Sequence, residues 1–383
     1  MPSIVSSKTP FILLLLAALA IAAATFVESR LGTPVAFSWI YGSWWFVALW
    51  LLVALAGCWV MFKRKMWKRP SLLVLHASFL VILGGALVTH VTSRGGLFSL
   101  REGEATRTYW AKDELGQYSL ARELPFYLAL HDFRIQYDDD GVTPADYISE
   151  VVIKTADRQE ETTISMNNIG RVKGYRIYQT SFDDDEAGSV FTVSYDPWGT
   201  AITYAGYLLL AFSMLWVSLQ RRKPINDVAL QKGGTFLTWL LGISGTVMAS
   251  YMVIAICRSP LLPVLRSPFL VVHMGTIMLS YILLVVSIVR REALRPAVFL
   301  LATGIFLGAV WANVSWGTYW SWDPKESWAL VTLIIYSIPL HTQSMPWFRS
   351  DRNYRIYSLL ALASLLMTYF GVNSLLGGMH SYQ

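Results

Sequence analysis

Long runs of apolar residues are the feature that most constrains the fold of this chain. A helix needs roughly 20 mostly apolar residues to cross a bilayer. Runs of about that length predict nine spans, at residues 11–27, 43–62, 71–93, 199–219, 235–256, 268–289, 296–313, 328–344 and 354–376. A hydrophobic fraction of 54% and 16 tryptophans in 383 residues also indicate an integral membrane protein rather than a soluble one.

Basic residues are concentrated in short loops between these runs and predict the orientation of the chain. The clusters lie at residues 63–69, 221–223, 290–295 and 349–355. All four fall on one side of a nine-span arrangement, and loops rich in Lys and Arg stay on the cytoplasmic side. The N-terminus is then cytoplasmic and the C-terminus lies outside. The net charge of +6 therefore reflects topology and does not indicate nucleic-acid binding.

Residues 1–30 allow a second interpretation as a secretory signal peptide. Lys8 would form the charged region, and small residues at 18–24 would form the cleavage zone. The orientation of every later span is the same whether this segment is cleaved or retained.

Residues 94–198 are polar and predict a small β-rich domain outside the membrane. The stretches ISEVVIKT, ETTISM, GYRIYQTSF and SVFTVSY alternate apolar and polar residues, which is typical of strands. Turn residues separate them at Gly141, at 167–168 and at 183–185. The fold class is therefore a polytopic α-helical membrane protein with a small β-rich extracytoplasmic domain.

Residues 311–330, WANVSWGTYWSWDPKESWAL, hold an unusual density of aromatic side chains. Trp and Tyr are common at membrane–water interfaces, so a simple interfacial belt is one interpretation. The other, which we favour, is a flat docking surface for a large planar ligand, because such a ligand offers ring stacking and apolar contact. We call residues 311–328 the Trp-rich segment.

The DPKE sequence within this segment has a structural interpretation of its own. Asp323 is a good N-cap, Pro324 suits the first helical position, and Glu326 can close a capping box. We favour a helix start here over direct contact of Asp323 and Glu326 with a ligand.

The two cysteines do not indicate a redox or metal site. Cys58 and Cys257 lie in or beside predicted spans and form no CxxC motif, so we interpret both as small packing residues. The sequence also offers no pairing of a nucleophile with a base, and we expect no hydrolytic chemistry.

Four of the six histidines form two pairs matched in depth. His76 and His341 each lie roughly 10–12 Å from a cytoplasmic basic cluster, at 1.5 Å per helical residue. His273 and His380 both lie near the outer membrane face, on either side of the Trp-rich segment. A single membrane histidine is often a packed residue, but polar groups in a bilayer tend to mark a site, and neutral imidazole is a common axial ligand of haem iron.

The remaining two histidines have no such partner. We expect His90 to be interfacial and His131 to lie on the surface of the β-rich domain.

These residues amount to a resemblance to a known family. WGTYWSWDPKESWAL resembles the tryptophan-rich WWD signature of haem-handling cytochrome c biogenesis proteins, and GVNSLLGGMHSYQ resembles the C-terminus of their CcsA branch. Three spans, an outside domain and a closing span at DPWGTAITYAGYLLL resemble ResB, with LHASFLVILGG around His76. The chain therefore looks like a ResB–CcsA fusion of system II cytochrome c biogenesis.

The resemblance implies a domain order and a set of ligands. Residues 1–93 would be ResB-like helices, 94–198 the outside domain, 199–219 a closing helix, 220–234 a cytoplasmic linker and 235–383 the CcsA-like part. His273 and His380 would be axial ligands of an outer haem site, and His76 and His341 those of an inner site where haem enters. The resemblance also implies haem contacts from the Trp-rich segment, by Trp316, Tyr319, Trp320, Trp322 and Asp323. Arg258 and Arg266 either pair with haem propionates or are solvated loop charges.

Family members move haem b, their bound substrate, across the membrane and attach it to the CxxCH motif of apocytochrome c. The resemblance thus implies a holocytochrome c synthase in the bacterial inner membrane, with its attachment site on the periplasmic face. Its partners would be apocytochrome c, thiol-reducing proteins on that face and membrane lipid. The alternatives are a haem chaperone or exporter without synthase activity, and a structural assembly scaffold or solute transporter.

Overall fold

The N-terminal part of the chain is helical. The computed structural model describes residues 6–113, 117–137, 141–142, 144–166, 168–220 and 268–376. Helix α1 (Thr9–Leu31) has a proline in its first turn and ends at Gly32, whose φ of 87° is in the left-handed region. A short helix α2 (Thr33–Ala36) continues as a π-turn over Phe37–Tyr41, and helices α3 (Trp44–Lys63) and α4 (Pro70–Thr92) follow.

Helix α4 leads directly into an antiparallel sheet of eight strands. They are β1 (Arg94–Arg101), β2 (Ala105–Lys112), β3 (Tyr118–Tyr137), β4 (Pro144–Lys154), β5 (Gln159–Ile164), β6 (Gly170–Val172), β7 (Tyr175–Phe182) and β8 (Gly188–Tyr195). Their order in the sheet is β5-β4-β3-β2-β1-β8-β7-β6. The outermost strands, β5 and β6, approach each other, so the sheet curls into a barrel-like domain, here called the sheet domain.

One face of the curled sheet forms the core of this domain. Its buried side chains include Phe98, Leu128, Ile164, Ile177 and Phe191, which come from five different strands. Inward and outward residues alternate along the strands, as a half-buried sheet requires. The predicted β-rich domain is confirmed, and four of its strands coincide with the stretches that the alternation indicates.

Strand β3 is 20 residues long and was missed because Pro125 interrupts it. Its pairing with β2 shifts between Thr106↔Leu128 and Thr108↔Glu123, so the proline lies at a β-bulge. A bulge leaves a residue unpaired, which is where a strand tolerates a residue without a backbone N–H.

The chain returns from β8 into helix α5 (Gly199–Leu219), which packs along α4. A Cβ on Gly206 of α5 would be 2.6 Å from Cγ1 of Ile82, so small residues allow the two backbones to approach closely. Because α4 and α5 both connect to the sheet, the sheet domain lies at one end of this helix pair.

The C-terminal part consists of α6 (Pro268–Ser287), α7 (Leu294–Trp316), α8 (Pro324–Ser337) and α9 (Asp351–Leu366), which continues as a π-helix to Leu376. Helix α8 contacts α1, α7 and α9 and so connects the two ends of the chain. Leu19, Leu55, Leu208 and Leu360 are exposed on the outer faces of these helices, as expected for helices that face lipid.

Seven of the predicted spans coincide with helices long and apolar enough to cross a membrane. The span predicted at 235–256 lies outside the described residues. The span predicted at 328–344 differs, because α8 has 14 residues and then tightens into a 3-10 turn at Pro339. Together they cover roughly 27 Å, slightly less than the hydrocarbon core of about 30 Å.

Candidate functional site

His76 and His341 lie side by side at the end of the helices remote from the sheet domain. Their ring centroids are 5.9 Å apart, and the rings are inclined by 79°. His76 lies near the start of α4, and His341 follows the 3-10 turn that ends α8. Two imidazoles that share one metal atom through bonds of about 2 Å have centroids on the order of 6 Å apart. We call these two residues the inner histidine pair.

Both rings use the same nitrogen for a hydrogen bond to the backbone. Nδ1 of His76 lies 2.7 Å from the carbonyl oxygen of Leu72, and Nδ1 of His341 lies 3.0 Å from that of Ser337. Because a carbonyl oxygen only accepts, each Nδ1 carries the proton and each Nε2 has a lone pair. This tautomer binds a metal through Nε2, and the backbone carbonyl fixes the orientation of the ring.

The donor set of the inner pair fits haem better than a bare metal ion. No group of three or more His, Cys, Asp or Glu side chains that could hold an ion occurs in the described parts of the chain. A structural zinc ion needs about four protein ligands, whereas haem iron needs only the two axial ones. The ring of Phe11 meets His341 edge-on at 5.1 Å and supplies an apolar wall.

Three basic loops meet beside this pair. Arg64 donates to the hydroxyl of Ser344 at 3.4 Å, and Arg291 donates to the carbonyl oxygen of Phe348 at 2.5 Å. Both acceptors belong to the segment that follows His341. The loops after α3, α6 and α8 are therefore on one side of the protein.

His273, on α6, lies against two glycines of α7. Its Nδ1 is 2.7 Å from the carbonyl oxygen of Gly304, so it has the same tautomer as the inner pair. A Cβ on Gly308 would be 2.6 Å from Cε1 of the ring, so the glycine leaves the space that the imidazole occupies. Its predicted partner His380 lies outside the described residues, as do Arg258, Arg266 and Cys257.

The Trp-rich segment changes direction twice. Gly317 ends α7 with φ of 86°, and Trp322 has φ of 62°, so both are in the left-handed region. Trp311 and Trp316 meet edge-on at 4.9 Å beside Leu270 and Met274 of α6, which flank His273.

The rings of this segment do not form one flat surface, so the predicted flatness is wrong, whereas the docking of a ligand there stays a prediction. Trp320 and Trp322 are inclined by 88° to each other, and Trp328 donates its indole N–H to Thr25 of α1 at 3.0 Å. Because the backbone turns at Gly317 and Trp322, successive rings enter different parts of the helix bundle.

Tyr319 connects the segment to α4 and α5, the helices that precede and follow the sheet domain in the chain. Its hydroxyl donates to Thr89 at 2.9 Å and accepts from Thr203 at 3.4 Å. Thr89 in turn donates to the carboxylate of Asp196 at 2.8 Å, and Thr200 also donates there at 2.8 Å. The buried ring of Tyr319 is thus held by α4 and α5.

The sheet domain also binds the start of the Trp-rich segment directly. Arg176 of β7 donates to the side-chain oxygen of Asn313 at 2.6 Å and to the carbonyl oxygen of Gly317 at 3.3 Å. Ser194 of β8 donates to the same Gly317 carbonyl at 3.2 Å. Burial raises the pKa of Tyr178 to about 12, so its hydroxyl stays protonated and donates to the Asn313 carbonyl at 3.1 Å.

The DPKE sequence begins α8, as predicted. The carboxylate of Asp323 accepts the N–H of Lys325 at 2.9 Å. Glu326 accepts from the N–H of Ser321 at 2.9 Å, two residues before the Asp323 N–H that the predicted capping box would use. Asp323 is 5% exposed, and its N-cap role is a structural one.

Cys58 does not pack inside the protein, which corrects the prediction for it. It lies on the exposed face of α3. His131 is exposed on the sheet domain, as expected, and His90 is exposed near the end of α4, where its interfacial position stays a prediction.

Several residues of this region were missed from the sequence. Arg176, Asp196 and Tyr41 each contact a residue more than a hundred positions away in the chain, so neither composition nor spacing indicates these contacts. Asp196 had one available signal, because Asp196-Pro197 at the start of α5 has the same form as Asp323-Pro324 at the start of α8.

The fold and this region define a polytopic membrane protein with a β-rich domain and paired histidines between its helices. Residues 56–204 match the family described as ResB-like, and residues 286–380 match the family described as Cytochrome C assembly protein. The chain therefore carries a ResB-like part followed by a cytochrome c assembly part, and the resemblance to a ResB–CcsA fusion of cytochrome c biogenesis is confirmed.

Three proteins are similar to parts of this chain. Protein NrfI of Wolinella succinogenes is 44% identical over 96 residues, which are 25% of this chain and 11% of that protein. Cytochrome c biogenesis protein CcsA of Oenothera argillicola is 50% identical over 82 residues, or 21% of this chain and 25% of that protein. CcsA of Synechococcus sp. (strain CC9902) is 34% identical over 32% of this chain and 58% of its own length. The chain thus covers less than two thirds of each of these relatives.

The contact between Arg176 and the Trp-rich segment leads to a stability prediction. Arg176→Met keeps the aliphatic length but loses both hydrogen bonds, and hydrogen bonds to charged groups contribute about 1.5–3 kcal/mol. We expect a lower melting temperature, measured by circular dichroism of the purified protein. Arg134→Met is the control, because Arg134 pairs with Asp132 and Glu150 on the exposed surface, where ion pairs contribute about 0–1 kcal/mol. Equal melting temperatures for the two variants would contradict the prediction.

Proposed function

We propose that this chain carries haem b, its bound substrate, across the membrane and attaches it to apocytochrome c, as a holocytochrome c synthase. The observation that carries the proposal is the inner histidine pair: two imidazoles 5.9 Å apart, both with Nε2 available as the metal-binding nitrogen. Polar groups are costly between membrane helices, and two facing imidazoles suit the axial positions of one haem iron.

The positions of the histidines support a route from one membrane face to the other. The inner pair lies at the end of α4 that is remote from the sheet domain. His273 lies beside Gly304 and Gly308 of α7, the helix whose far end contacts the sheet domain. Haem would bind first at the inner pair and then at His273, with His380 as the proposed second outer ligand.

The Trp-rich segment supports an outer haem site next to His273. Trp316 packs beside the α6 residues that flank His273. The indole nitrogen of Trp320 is buried and has no hydrogen-bond acceptor among the described residues, so it can donate to a haem carboxylate. Tyr319, Trp322 and Asp323 hold the backbone of this segment in place by their hydrogen bonds and ring contacts.

The attachment reaction requires orientation more than catalytic side chains. Each thiol of a CxxCH motif adds across a haem vinyl group, so that sulfur bonds to one carbon and the proton goes to the other. No electrons are gained or lost, although the thiols must arrive reduced, which thiol-reducing partners would ensure. The protein contributes by holding haem iron and presenting the vinyl edge to the peptide.

The basic loops support the proposed orientation in a bacterial inner membrane. Loops containing Arg64, Arg291 and Arg349 lie together at the end opposite the sheet domain. Because such loops stay cytoplasmic, the N-terminus would be inside, and the sheet domain and the Trp-rich segment would face the periplasm. Apocytochrome c would meet the protein there.

The proposal is tested in a host that lacks its own cytochrome c maturation system. We expect this chain alone to produce a CxxCH reporter whose haem survives denaturation, whereas an AxxAH reporter stays without covalent haem. Copurified haem without covalent reporter would instead indicate a haem chaperone or exporter. A purified chain without haem, together with an unmodified reporter, would indicate a scaffold or a solute transporter.

A further inference from the structure

Trp322 has a backbone conformation that a bulky side chain rarely adopts. Its φ of 62° lies in the left-handed region, which is disfavoured for residues other than glycine. Such a conformation persists only where neighbouring groups hold it, and its presence points to a functional constraint. The contacts around Trp322 identify the group that holds it.

The main contact comes from Tyr41, at the end of the π-turn that follows α2. The rings of Tyr41 and Trp322 are stacked with centroids 4.8 Å apart and an inclination of 14°. Phe46 meets the same indole edge-on at 5.3 Å. Tyr41 and Phe46 precede the matched ResB-like part, which begins at residue 56.

A chain of hydrogen bonds connects the same residues through Ser327. The hydroxyl of Ser327 donates to the carbonyl oxygen of Trp322 at 3.0 Å. Since that hydroxyl has one proton, it is the acceptor for the hydroxyl of Tyr41 at 3.4 Å. Ser327 is fully buried and Tyr41 is 5% exposed. Tyr41 therefore restrains the ring of Trp322 by stacking and its backbone through Ser327.

We propose that Tyr41 is a positioning residue for the Trp-rich segment. It holds Trp322, and with it the start of α8, in the arrangement that receives haem on the outer side. This inference rests on the proposed function for the identity of the ligand. It assigns the residues before position 56, which lie outside both matched families, a part in the outer site.

The test compares three variants with one control. Tyr41→Phe keeps the stack and loses the hydroxyl, Tyr41→Leu loses the stack, and Ser327→Ala loses the bridging hydroxyl. Tyr147→Leu is the control, because Tyr147 stacks on Phe182 at 5.1 Å within the sheet domain. The control measures what the loss of any stacked tyrosine does to folding.

Two measurements are made on the full-length purified proteins. Hydrogen–deuterium exchange of the peptide 318–327 reports the restraint itself and needs no haem. We expect it to be about 3- to 10-fold faster in Tyr41→Leu, since stacked aromatic pairs stabilise by a comparable factor, and nearly unchanged in Tyr147→Leu. The second measurement is the ratio of covalently matured reporter to copurified haem.

The inference is supported if Tyr41→Leu shows faster exchange and a severalfold lower ratio of matured reporter to copurified haem. Tyr41→Phe should then give values near wild type, and Ser327→Ala should give intermediate values. Unchanged exchange in Tyr41→Leu, or faster exchange with a normal ratio, would overturn it, as would an equal response of Tyr147→Leu. If no protein matures the reporter, wild type included, the proposed function fails. The exchange measurement then still decides whether Tyr41 restrains Trp322.

Discussion

Glycine in place of His76 or His341 is expected to lower the haem that copurifies with the protein by at least about tenfold. Even residues that only hydrogen-bond to metal ligands contribute roughly 10–100-fold to metal affinity, and here an axial ligand itself is lost. The remaining histidine cannot compensate, because its Nδ1 is engaged by a backbone carbonyl. The measurement is the haem content per protein, taken from the reduced absorption spectrum.

Added imidazole gives this prediction a second, independent readout. A glycine leaves a hole of imidazole size, so the free base should restore part of the haem content in both variants. His90→Gly is the matched control, because His90 lies on the same helix as His76 but is exposed. It should keep its haem and show no response to imidazole. The ligand assignment fails if all three variants lose haem equally.

The membrane part of the fold follows from the sequence because hydropathy is a local property. Seven predicted spans correspond to helices, and each needs only a run of apolar residues with polar ends. The exception is the span predicted at 328–344, where Pro339 ends α8 in a 3-10 turn and His341 follows that turn. The helix therefore ends within the predicted span, although the histidine still reaches its predicted partner.

Only four of the eight strands of the sheet domain were predicted, because pairing with neighbouring strands compensates for weak sequence patterns in the others. Strand β3 tolerates Pro125 at a bulge, and β1 begins with Arg94-Gly95-Gly96, a poor strand sequence that pairs with β8 along its whole length. Strands β4, β5, β7 and β8 alternate clearly and were recognised. Such alternation is missing where neighbouring strands, and not the residues themselves, determine the structure.

The candidate site was likewise predicted only in part. The depth of each histidine follows from residue spacing, and the structure brings His76 and His341 together. The supports of the Trp-rich segment could not be predicted, because Tyr41, Arg176 and Thr89 are each more than a hundred residues away from their partners in it. These contacts connect the N-terminal helices, the sheet domain and α4 to one short segment, which explains why its rings point in different directions.

Replacing His273 with glycine is expected to lower reporter maturation by at least about tenfold while leaving most of the copurified haem in place. The inner pair remains intact in this variant, so haem can still enter. The outer site, however, loses the imidazole that Gly304 orients. Imidazole should restore part of the maturation. Thr276→Gly is the control, because it introduces a glycine one turn away on the same helix and costs about the same helix stability.

Gly308→Ala tests the same site without removing the ligand. The new methyl group would lie 2.6 Å from Cε1 of His273, so the ring must move while the imidazole stays present. We expect maturation to fall severalfold, and added imidazole to have no effect, because no cavity is left for it. If His273→Gly matures the reporter fully, or if imidazole rescues Gly308→Ala as well as His273→Gly, then His273 does not hold haem at the site of attachment.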